Sequence, residues 1–238
     1  MPSKQVKSKQ RVADHGEVFT SEREVNAMLD LVKQETERID SRFLEPACGD
    51  GNFLAEILRR KLAVVKMKYK RSQIDYEKNA VLAVSSIYGV DILQDNVDAC
   101  RTRLFEIWDK EYTAVCKKEV NQDCRDAVRF ILSRNIVCGN ALSLMEVDAF
   151  GWDTGDPIVF SEWAFITGSM MQRNDYRFDK LLSGGESSED NTRVEEKAIN
   201  REPPQQTLFD EWSIERPKSG GEFLKQYITH YRRVHKND

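Results

Sequence analysis

Residues 43–54 read FLEPACGDGNFL, and this stretch decides the fold of the chain. The residues over Arg42–Ala47 are typical of a short buried strand, which Gly49 and Gly51 bring to an end. Apolar residues at helical spacing over 53–65 then predict a helix. Glycine lets a backbone approach a ligand closely, and the start of a helix leaves N–H groups unpaired. This strand, turn and helix therefore predict a ligand crevice in an α/β sheet.

The chain up to about residue 165 alternates between apolar patterns of helix and of strand type. A helix is predicted over 22–35, with Thr20 or Ser21 as its cap. Further strands are predicted over 81–92, 135–142 and 157–165, and further helices over about 94–109 and 119–133. Strands that alternate with helices usually pair in parallel, so we expect a mostly parallel α/β sheet covered on both faces.

The glycine turn does not fit two common nucleotide-binding motifs. A nicotinamide-binding turn would carry a third glycine where Leu54 stands, and the acid about 20 residues further on, Asp75, follows a basic run rather than a strand. The sequence has no GxxxxGKS/T run, which excludes a phosphate-binding NTPase loop. The acid that closes the next predicted strand is Asp91, whose carboxylate can accept hydrogen bonds from both hydroxyls of a ribose.

Four elements of the sequence resemble the S-adenosylmethionine-dependent DNA adenine methyltransferases of bacterial restriction–modification systems, and along the chain they follow the order of that family's motifs. Residues 45–54, EPACGDGNFL, are similar to the first motif of that family. Residues 16–20, GEVFT, resemble its N-terminal GxVFTP element. Residues 91–92 match its ribose-binding acid and the apolar residue that follows, and 139–141, GNA, match its GDA or GNA motif.

The resemblance implies a cofactor, a fold and a set of binding residues. The cofactor is S-adenosylmethionine, and the fold is a class I methyltransferase-like (Rossmann-like) α/β sheet. The N-terminal element is implied to lie over the methionine end of the cofactor, although Ser21 replaces its usual proline. Asp91 is implied to bind the ribose, Ile92 the adenine ring, and Asn140 the adenine edge. The implied cofactor-binding residues are Phe19, Thr20, Glu45, Pro46, Ala47, Gly49, Gly51, Asp91, Ile92, Asn140 and Ala141.

The catalytic motif of the resembled family is not found. The family holds a flipped-out adenine with an Asp/Asn-Pro-Pro-Tyr/Phe turn at the end of its fourth strand, as enzymes that act on duplex bases must extrude them. The nearest match, residues 156–160, reads DPIVF and lacks the second proline. Asp156 is therefore a weak candidate for the catalytic acid, and we expect it to begin a plain strand or loop. The one Pro-Pro pair, at 203–204, has Glu202 before it and Gln205 after it.

The predicted sheet is incomplete by comparison with the resembled fold, which has seven strands. Residues 1–165 supply at most four, so the strand over Arg42–Ala47 should present an apolar edge that another element covers. We expect a split enzyme, in which a second protein subunit supplies the catalytic motif and target recognition. Two alternatives remain open at this point. One is a non-catalytic cofactor-binding module or assembly subunit of a defence complex. The other is a complete small methyltransferase for a substrate other than DNA, with Asp156 and Trp163 at its acceptor site.

Composition divides the chain into four parts. Residues 1–12 form a basic tail, 13–182 the cofactor-binding domain, and 183–206 a linker whose charged and small residues bury too little apolar surface to fold. Residues 207–238 carry a short apolar anchor and a predicted terminal helix over 223–234. This last part makes a charged C-terminal extension.

Charge and cysteine content bear on partners and compartment. The net charge is −4, but residues 59–71 carry seven positive charges and no negative one, which is compatible with DNA as a partner. The five cysteines are scattered without a CxxC pair, which argues against a disulfide framework and a metal site and favours the cytoplasm. The sequence has no apolar run long enough to cross a membrane, and residues 1–10 lack the apolar stretch of a secretory signal, so we expect neither a membrane span nor such a signal.

Overall fold

The computed structural model describes residues 6–15, 17–182 and 223–236. Its helices are α1 (Lys9–His15), α2 (Glu22–Leu31), α3 (Lys33–Thr36), α4 (Asn52–Tyr69), α5 (Gln73–Ser85), α6 (Gln94–Cys116), α7 (Gln122–Asn135) and α8 (Phe178–Leu182). Its strands are β1 (Phe43–Glu45), β2 (Ile87–Asp91), β3 (Ile136–Asn140), β4 (Met145–Val147), β5 (Asp153–Pro157), β6 (Val159–Thr167), β7 (Met170–Arg177) and β8 (Lys225–His230). Short 3-10 turns cover Lys117–Glu119 and Tyr231–Lys236.

The strands form two sheets. The first has five strands in the order β1-β2-β3-β4-β5, in which β1, β2 and β3 are parallel and β4 and β5 pair antiparallel. The second has three antiparallel strands in the order β6-β7-β8. The chain is therefore α/β, as predicted, but its main sheet is mixed. The predicted strand over 157–165 is present as β6, although it belongs to the second sheet rather than to the main one.

Local sequence explains where the helices begin. Ser21 caps α2 in a capping box, because its hydroxyl accepts a hydrogen bond from Glu24 N–H while the Glu24 carboxylate accepts one from Ser21 N–H. Asn121 caps α7 in a similar way through Cys124 N–H. The helix predicted over 22–35 is confirmed, with a break at Val32 between α2 and α3.

The predicted strand over 81–92 is wrong in its first half. Residues up to Ser85 belong to α5, which Ser72 caps, and only Ile87–Asp91 form the strand. The reason is burial on all sides: Ala80, Val81 and Val84 are fully buried within the helical layer. A helix buried around most of its surface carries the same continuous apolar run as a buried strand.

The main core lies on one face of the parallel strands. It is built from one side of α2 and from α4, α5, α6 and α7, with Trp108 stacked on Tyr112 at a ring-centroid distance of 4.6 Å. Alternate residues of β2 point to opposite faces, since Ile87 belongs to this core whereas Tyr88 and Val90 belong to a smaller cluster on the other face. The α4–α7 layer thus fixes the position of the β1 and β2 strand ends.

The smaller cluster covers the second face of β1 and β2. Leu44 and Tyr88 pack there against Ile158 between β5 and β6, Phe160 of β6 and Phe178 of α8. β1 is an edge strand among the described residues, as expected, but its apolar side chain Leu44 is only 8% exposed. The chain's own residues therefore cover this apolar side chain, while the backbone edge of β1 stays open in the described part.

The C-terminal residues form a strand rather than the helix predicted over 223–234. β8 pairs with β7 from Lys225 to His230, and the turn that follows inserts Tyr231 and Val234 into the main core. Strand pairing overrides helical spacing because β7 offers a free edge in register. The fold therefore does not end at residue 182.

Some predicted features lie outside the described residues. The predicted linker over 183–206 and the apolar anchor at Leu208, Phe209 and Trp212 are among them. The described part of the predicted basic tail, from residue 6 to residue 12, begins the helix α1 and is held by ion pairs to α6.

Candidate cofactor site

The glycine turn joins β1 to α4 with a left-handed backbone. Gly49 has φ +52° and Gly51 has φ +87°, values that side-chain-bearing residues rarely adopt. A Cβ on Gly49 would lie 2.8 Å from the Phe19 ring, and one on Gly51 would lie 2.7 Å from Cys100 Sγ. Glycine at both positions is therefore required by the backbone and by the close approach of a neighbour. Gly51 also begins α4 without a side-chain cap, which leaves the helix start available to a ligand.

Asp91 lies at the end of β2, directly beneath the glycine turn. Its Oδ2 accepts a hydrogen bond of 2.9 Å from Gly49 N–H. Its Oδ1 accepts hydrogen bonds from Leu93 N–H at 2.9 Å and from Asn96 Nδ2 at 3.1 Å. A carboxylate offers about four acceptor positions, so one remains for a ribose hydroxyl and a second hydroxyl would have to displace one of these donors.

Glu45 is the second acid of the turn. Burial raises the pKa of its carboxyl group to about 7, against a smaller lowering effect from the hydrogen bond that Ala47 N–H donates. Pro46 and Ala47 link Glu45 to the buried Cys48, and Ala47 itself is exposed. Because burial disfavours its charged form, Glu45 would gain from a cationic ligand group.

The described part of the N-terminal element lies against the glycine turn. The Phe19 ring contacts Gly49, and Thr20 C=O accepts a hydrogen bond of 3.1 Å from Asn52 Nδ2. The site thus brings together Phe19, Thr20, Glu45, Gly49, Gly51 and Asp91.

Sequence reasoning missed Asn96, which ties these parts together. Its side chain is buried on α6 and donates hydrogen bonds to both Asp91 and Glu17. Glu17 also pairs with Arg11. Burial alone would raise the pKa of the Glu17 carboxyl group, but the hydrogen bonds from Arg11 and Asn96 outweigh burial, so the pKa is lowered. The available signal was an amide on the otherwise apolar buried face of α6, five residues after Asp91.

The other side of the crevice is made by Ile92 and by the segment after β3. Ile92 is 36% exposed and follows Asp91 directly. The amide oxygen of Asn140 accepts hydrogen bonds from Leu142 N–H and Ser143 N–H, while its Nδ2 donates to Asp153. Asn140 therefore holds the turn that contains Ala141, and one Nδ2 hydrogen remains for another acceptor.

The weak catalytic candidate lies on the edge strand β5, which Asn140 contacts through Asp153. Asp156 is exposed on β5, at the edge of the main sheet opposite to β1. Trp163 is buried, and its Nε1 donates to Asn135 Oδ1 at 3.0 Å. The alternative in which Asp156 and Trp163 form an acceptor site is wrong for Trp163, because the main core encloses this side chain.

The basic run over 59–71 does not form a uniform positive surface. Lys61 points into the core, where it donates to Ile39 C=O and Ser86 Oγ, and burial lowers the pKa of its amine to about 7. Arg60 pairs with Asp30 and Glu56. These pairings reduce the charge that the helix can offer to phosphates.

Two further properties of the described residues concern metal ions and membranes. No group of three or more His, Cys, Asp or Glu side chains there is arranged to hold a metal ion. None of the described helices combines the length and the apolar character that crossing a membrane requires.

Comparison with known proteins identifies the family. Residues 16–167, well over half of the chain, match the family described as MmeI, DNA-methyltransferase domain. No curated protein and no solved structure matches the chain. The matched span includes the N-terminal element, the glycine turn, Asp91 and the segment after β3. The chain therefore belongs to the MmeI DNA-methyltransferase domain family, a family of restriction–modification DNA methyltransferases.

Proposed function

We propose that this chain binds S-adenosylmethionine and supplies the cofactor pocket of a DNA adenine methyltransferase. The catalytic turn and the target-recognition elements would then lie on a second polypeptide. The observation that carries the proposal is the hydrogen bond from Gly49 N–H to Asp91, which joins the two motifs at one crevice. Methyltransferase families in general use this cofactor, and the matched family supports a methyltransferase role.

The residues at the crevice fit the proposed cofactor. Two glycines with positive φ let the backbone approach a ligand, and α4 begins there with uncapped N–H groups. Partial burial raises the pKa of the Glu45 carboxyl group, so an ammonium group at this place would stabilise its charged form. The parallel order β1-β2-β3, with the turn after β1 and the acid after β2, supports a class I methyltransferase-like arrangement of this half of the sheet.

The chain's residues would hold the cofactor rather than perform proton transfer. When bound, S-adenosylmethionine would supply an electrophilic methyl group on its sulfonium sulfur. Asp91 would orient the ribose through a charge-assisted hydrogen bond, and Glu45 would accept hydrogen bonds from the ammonium group. Phe19 would exclude water from the methionine end, because its ring lies against Gly49. Orientation of this kind contributes to the rate by holding reactants in a near-attack geometry.

The proposal that catalysis needs a second polypeptide rests on two features of this chain. Its 238 residues contain no Asp/Asn-Pro-Pro-Tyr/Phe sequence, and the partial match at Asp156 lies at the opposite edge of the main sheet from β1. In the described part of the chain, the outer edge of β1 carries no further strand beside the glycine turn. A strand added there would bring its carboxyl end to the crevice, where a catalytic turn is needed.

The test is a methyl-transfer assay with labelled S-adenosylmethionine on genomic DNA. It compares this chain alone, the product of the neighbouring gene alone, and both together, with products digested to identify N6-methyladenine. We expect label in adenine only when both proteins are present, and we expect calorimetry to show that this chain binds the cofactor by itself.

Three outcomes would change the proposal. Activity of this chain alone would overturn the need for a second polypeptide and restore Asp156 as the candidate acid. Cofactor binding without activity of the pair would favour a non-catalytic binding module. Absence of cofactor binding would overturn the proposal as a whole.

A further inference from the structure

The hairpin of β4 and β5 carries two large aromatic side chains that the described fold leaves uncovered. Phe150 is 86% exposed and Trp152 is 74% exposed, and both lie in the turn between the two strands. Single apolar side chains are common on protein surfaces, but two large aromatic rings within one short turn are typical of an interaction surface. We call residues 148–152 the aromatic turn.

The aromatic turn is held in one shape by its own hydrogen bonds. Asp148 Oδ1 accepts from Phe150 N–H at 2.8 Å and from Trp152 N–H at 3.0 Å. Asp148 C=O accepts from Gly151 N–H at 3.0 Å, and Gly151 has φ +83°. An aspartate that accepts from the backbone two residues on stabilises a tight turn. Because this backbone is already ordered, a partner that binds the two rings loses little conformational entropy from the turn.

The charge around the aromatic turn indicates the kind of partner. Residues 135–172 contain five acids and no Lys, Arg or His. Four of these acids belong to the hairpin and are exposed: Glu146, Asp148, Asp153 and Asp156. None of the four forms an ion pair with a basic side chain in the part of the chain that the structure describes. An acidic surface repels the phosphates of DNA and attracts a protein surface that carries Lys or Arg.

The aromatic turn stands at the same end of the main sheet as the glycine turn. A Cβ on Gly151 would lie 3.9 Å from Ile92 Cγ1, and Ile92 follows Asp91 at the end of β2. The edge strands β1 and β5 are four strand spacings apart, or about 19 Å, which is less than the diameter of a small domain. One folded partner that reaches the glycine turn from the β1 side can therefore also contact the aromatic turn.

We propose that the aromatic turn docks the second polypeptide, whose matching surface has an apolar pocket for Phe150 and Trp152 and a rim of Lys or Arg side chains. This inference rests on the proposed function, because it names the surface by which the chain holds that polypeptide. The two rings form the buried centre of the contact, where aromatic side chains are enriched. The acids of the hairpin face the basic rim, which speeds association and excludes partners of the wrong charge.

The experiment measures binding of the full chain to the purified product of the neighbouring gene by surface plasmon resonance. Phe150→Ala and Trp152→Ala should each raise Kd at least about tenfold, mainly through faster dissociation. Trp152→Phe should stay within about threefold of the wild type, because it keeps an aromatic ring. Leu31→Ala is the matched control, since Leu31 is 79% exposed on α2, outside the hairpin, and its removal should leave Kd unchanged. Thermal unfolding at the wild-type Tm shows that the variants fold.

A charge reversal tests the basic rim. Glu146→Lys should slow association about threefold or more at physiological ionic strength, and the difference should shrink as salt is added. Glu106→Lys is the control, because Glu106 is exposed on α6 about 18 Å along the helix from Gln94, which lies beside the aromatic turn. An unchanged association rate of Glu146→Lys would overturn the basic rim.

The remaining outcomes identify a different occupant or none. If both alanine variants bind the partner like the wild type, the inference is overturned while the proposed function stands. If they keep the partner but lose binding of a duplex oligonucleotide, or lose self-association of the chain alone in sedimentation, the occupant is DNA or a second copy and our assignment is overturned. If the wild-type chain does not bind the partner, the inference fails together with the need for a second polypeptide, whereas calorimetry with S-adenosylhomocysteine tests the cofactor pocket separately.

Discussion

Asp91→Asn offers a sharp test of the site because the two side chains have the same shape but different hydrogen-bonding capacity. Asp91 accepts on both oxygens, from Gly49 N–H on one and from Leu93 N–H and Asn96 Nδ2 on the other. An amide has only one acceptor oxygen. We expect that oxygen to keep the two donors on the Leu93 side, which turns the NH₂ group toward Gly49 N–H.

The expected loss follows from that single mismatch. A buried donor that loses a charged acceptor costs about 1.5–3 kcal/mol of stability, or roughly 3–12 °C in Tm for a chain of this size. Cofactor affinity should fall roughly tenfold or more, because the ribose loses its charge-assisted hydrogen bond and the glycine turn loses its anchor.

Thermal unfolding and titration calorimetry measure the two effects in parallel. Asp98→Asn provides the control, since Asp98 lies on the exposed side of α6 and accepts a hydrogen bond only from Gln94 among the hydrogen bonds described for it. The reasoning is refuted if Asp91→Asn melts and binds like the wild type, or if Asp98→Asn shows equal losses.

Two further predictions concern the same turn. Gly49→Val should abolish cofactor binding, because its Cβ would lie 2.8 Å from the Phe19 ring. Gly155→Val is the control, since Gly155 also has a positive φ, +89°, but open space around it, and this variant should bind the cofactor normally. Equal affinities of both variants would contradict the role of the turn. For Glu45, burial raises the pKa to about 7 in the folded chain, above about 4.3 in the unfolded chain, so the folded state holds the extra proton. The free energy of unfolding should therefore fall as pH rises from about 5 to 7 and then level off. Denaturant titrations at several pH values measure this slope, and Glu45→Gln should remove it. A slope that persists in the variant would rule out Glu45 as its source.

The sequence predicted the parallel part of the fold and the backbone elements of the glycine turn. The glycine turn, the Ser21 cap and the strand that ends at Asp91 depend on local patterns, and each lies in the structure where the pattern indicated. Contacts between distant residues had no such local signal. Asn96 acts on Asp91 and Glu17 at once, and an asparagine within a helical pattern does not reveal a partner 79 positions away.

The second sheet shows the limit of periodicity. β7 reads MMQRNDYR, in which Arg173 and Asp175 are buried. Their side chains satisfy each other and Ser161 Oγ, so charged residues occupy core positions that a hydrophobic pattern would leave to apolar ones. The hydrophobic pattern did not predict this strand, because ion pairing rather than apolar packing fills its buried face.

The buried Glu77 affects when this domain can fold during its synthesis. Its carboxylate accepts hydrogen bonds from Tyr112 and Tyr231 at 2.8 Å each and pairs with Arg232, which lies 155 positions later in the chain. While the ribosome is still making the residues before 231, Glu77 has only Tyr112 among these three partners. A nascent chain in that state would have to bury a charge without a cation or keep the carboxyl group protonated. The helical layer around Glu77 should therefore close late, when the last described residues have left the ribosome.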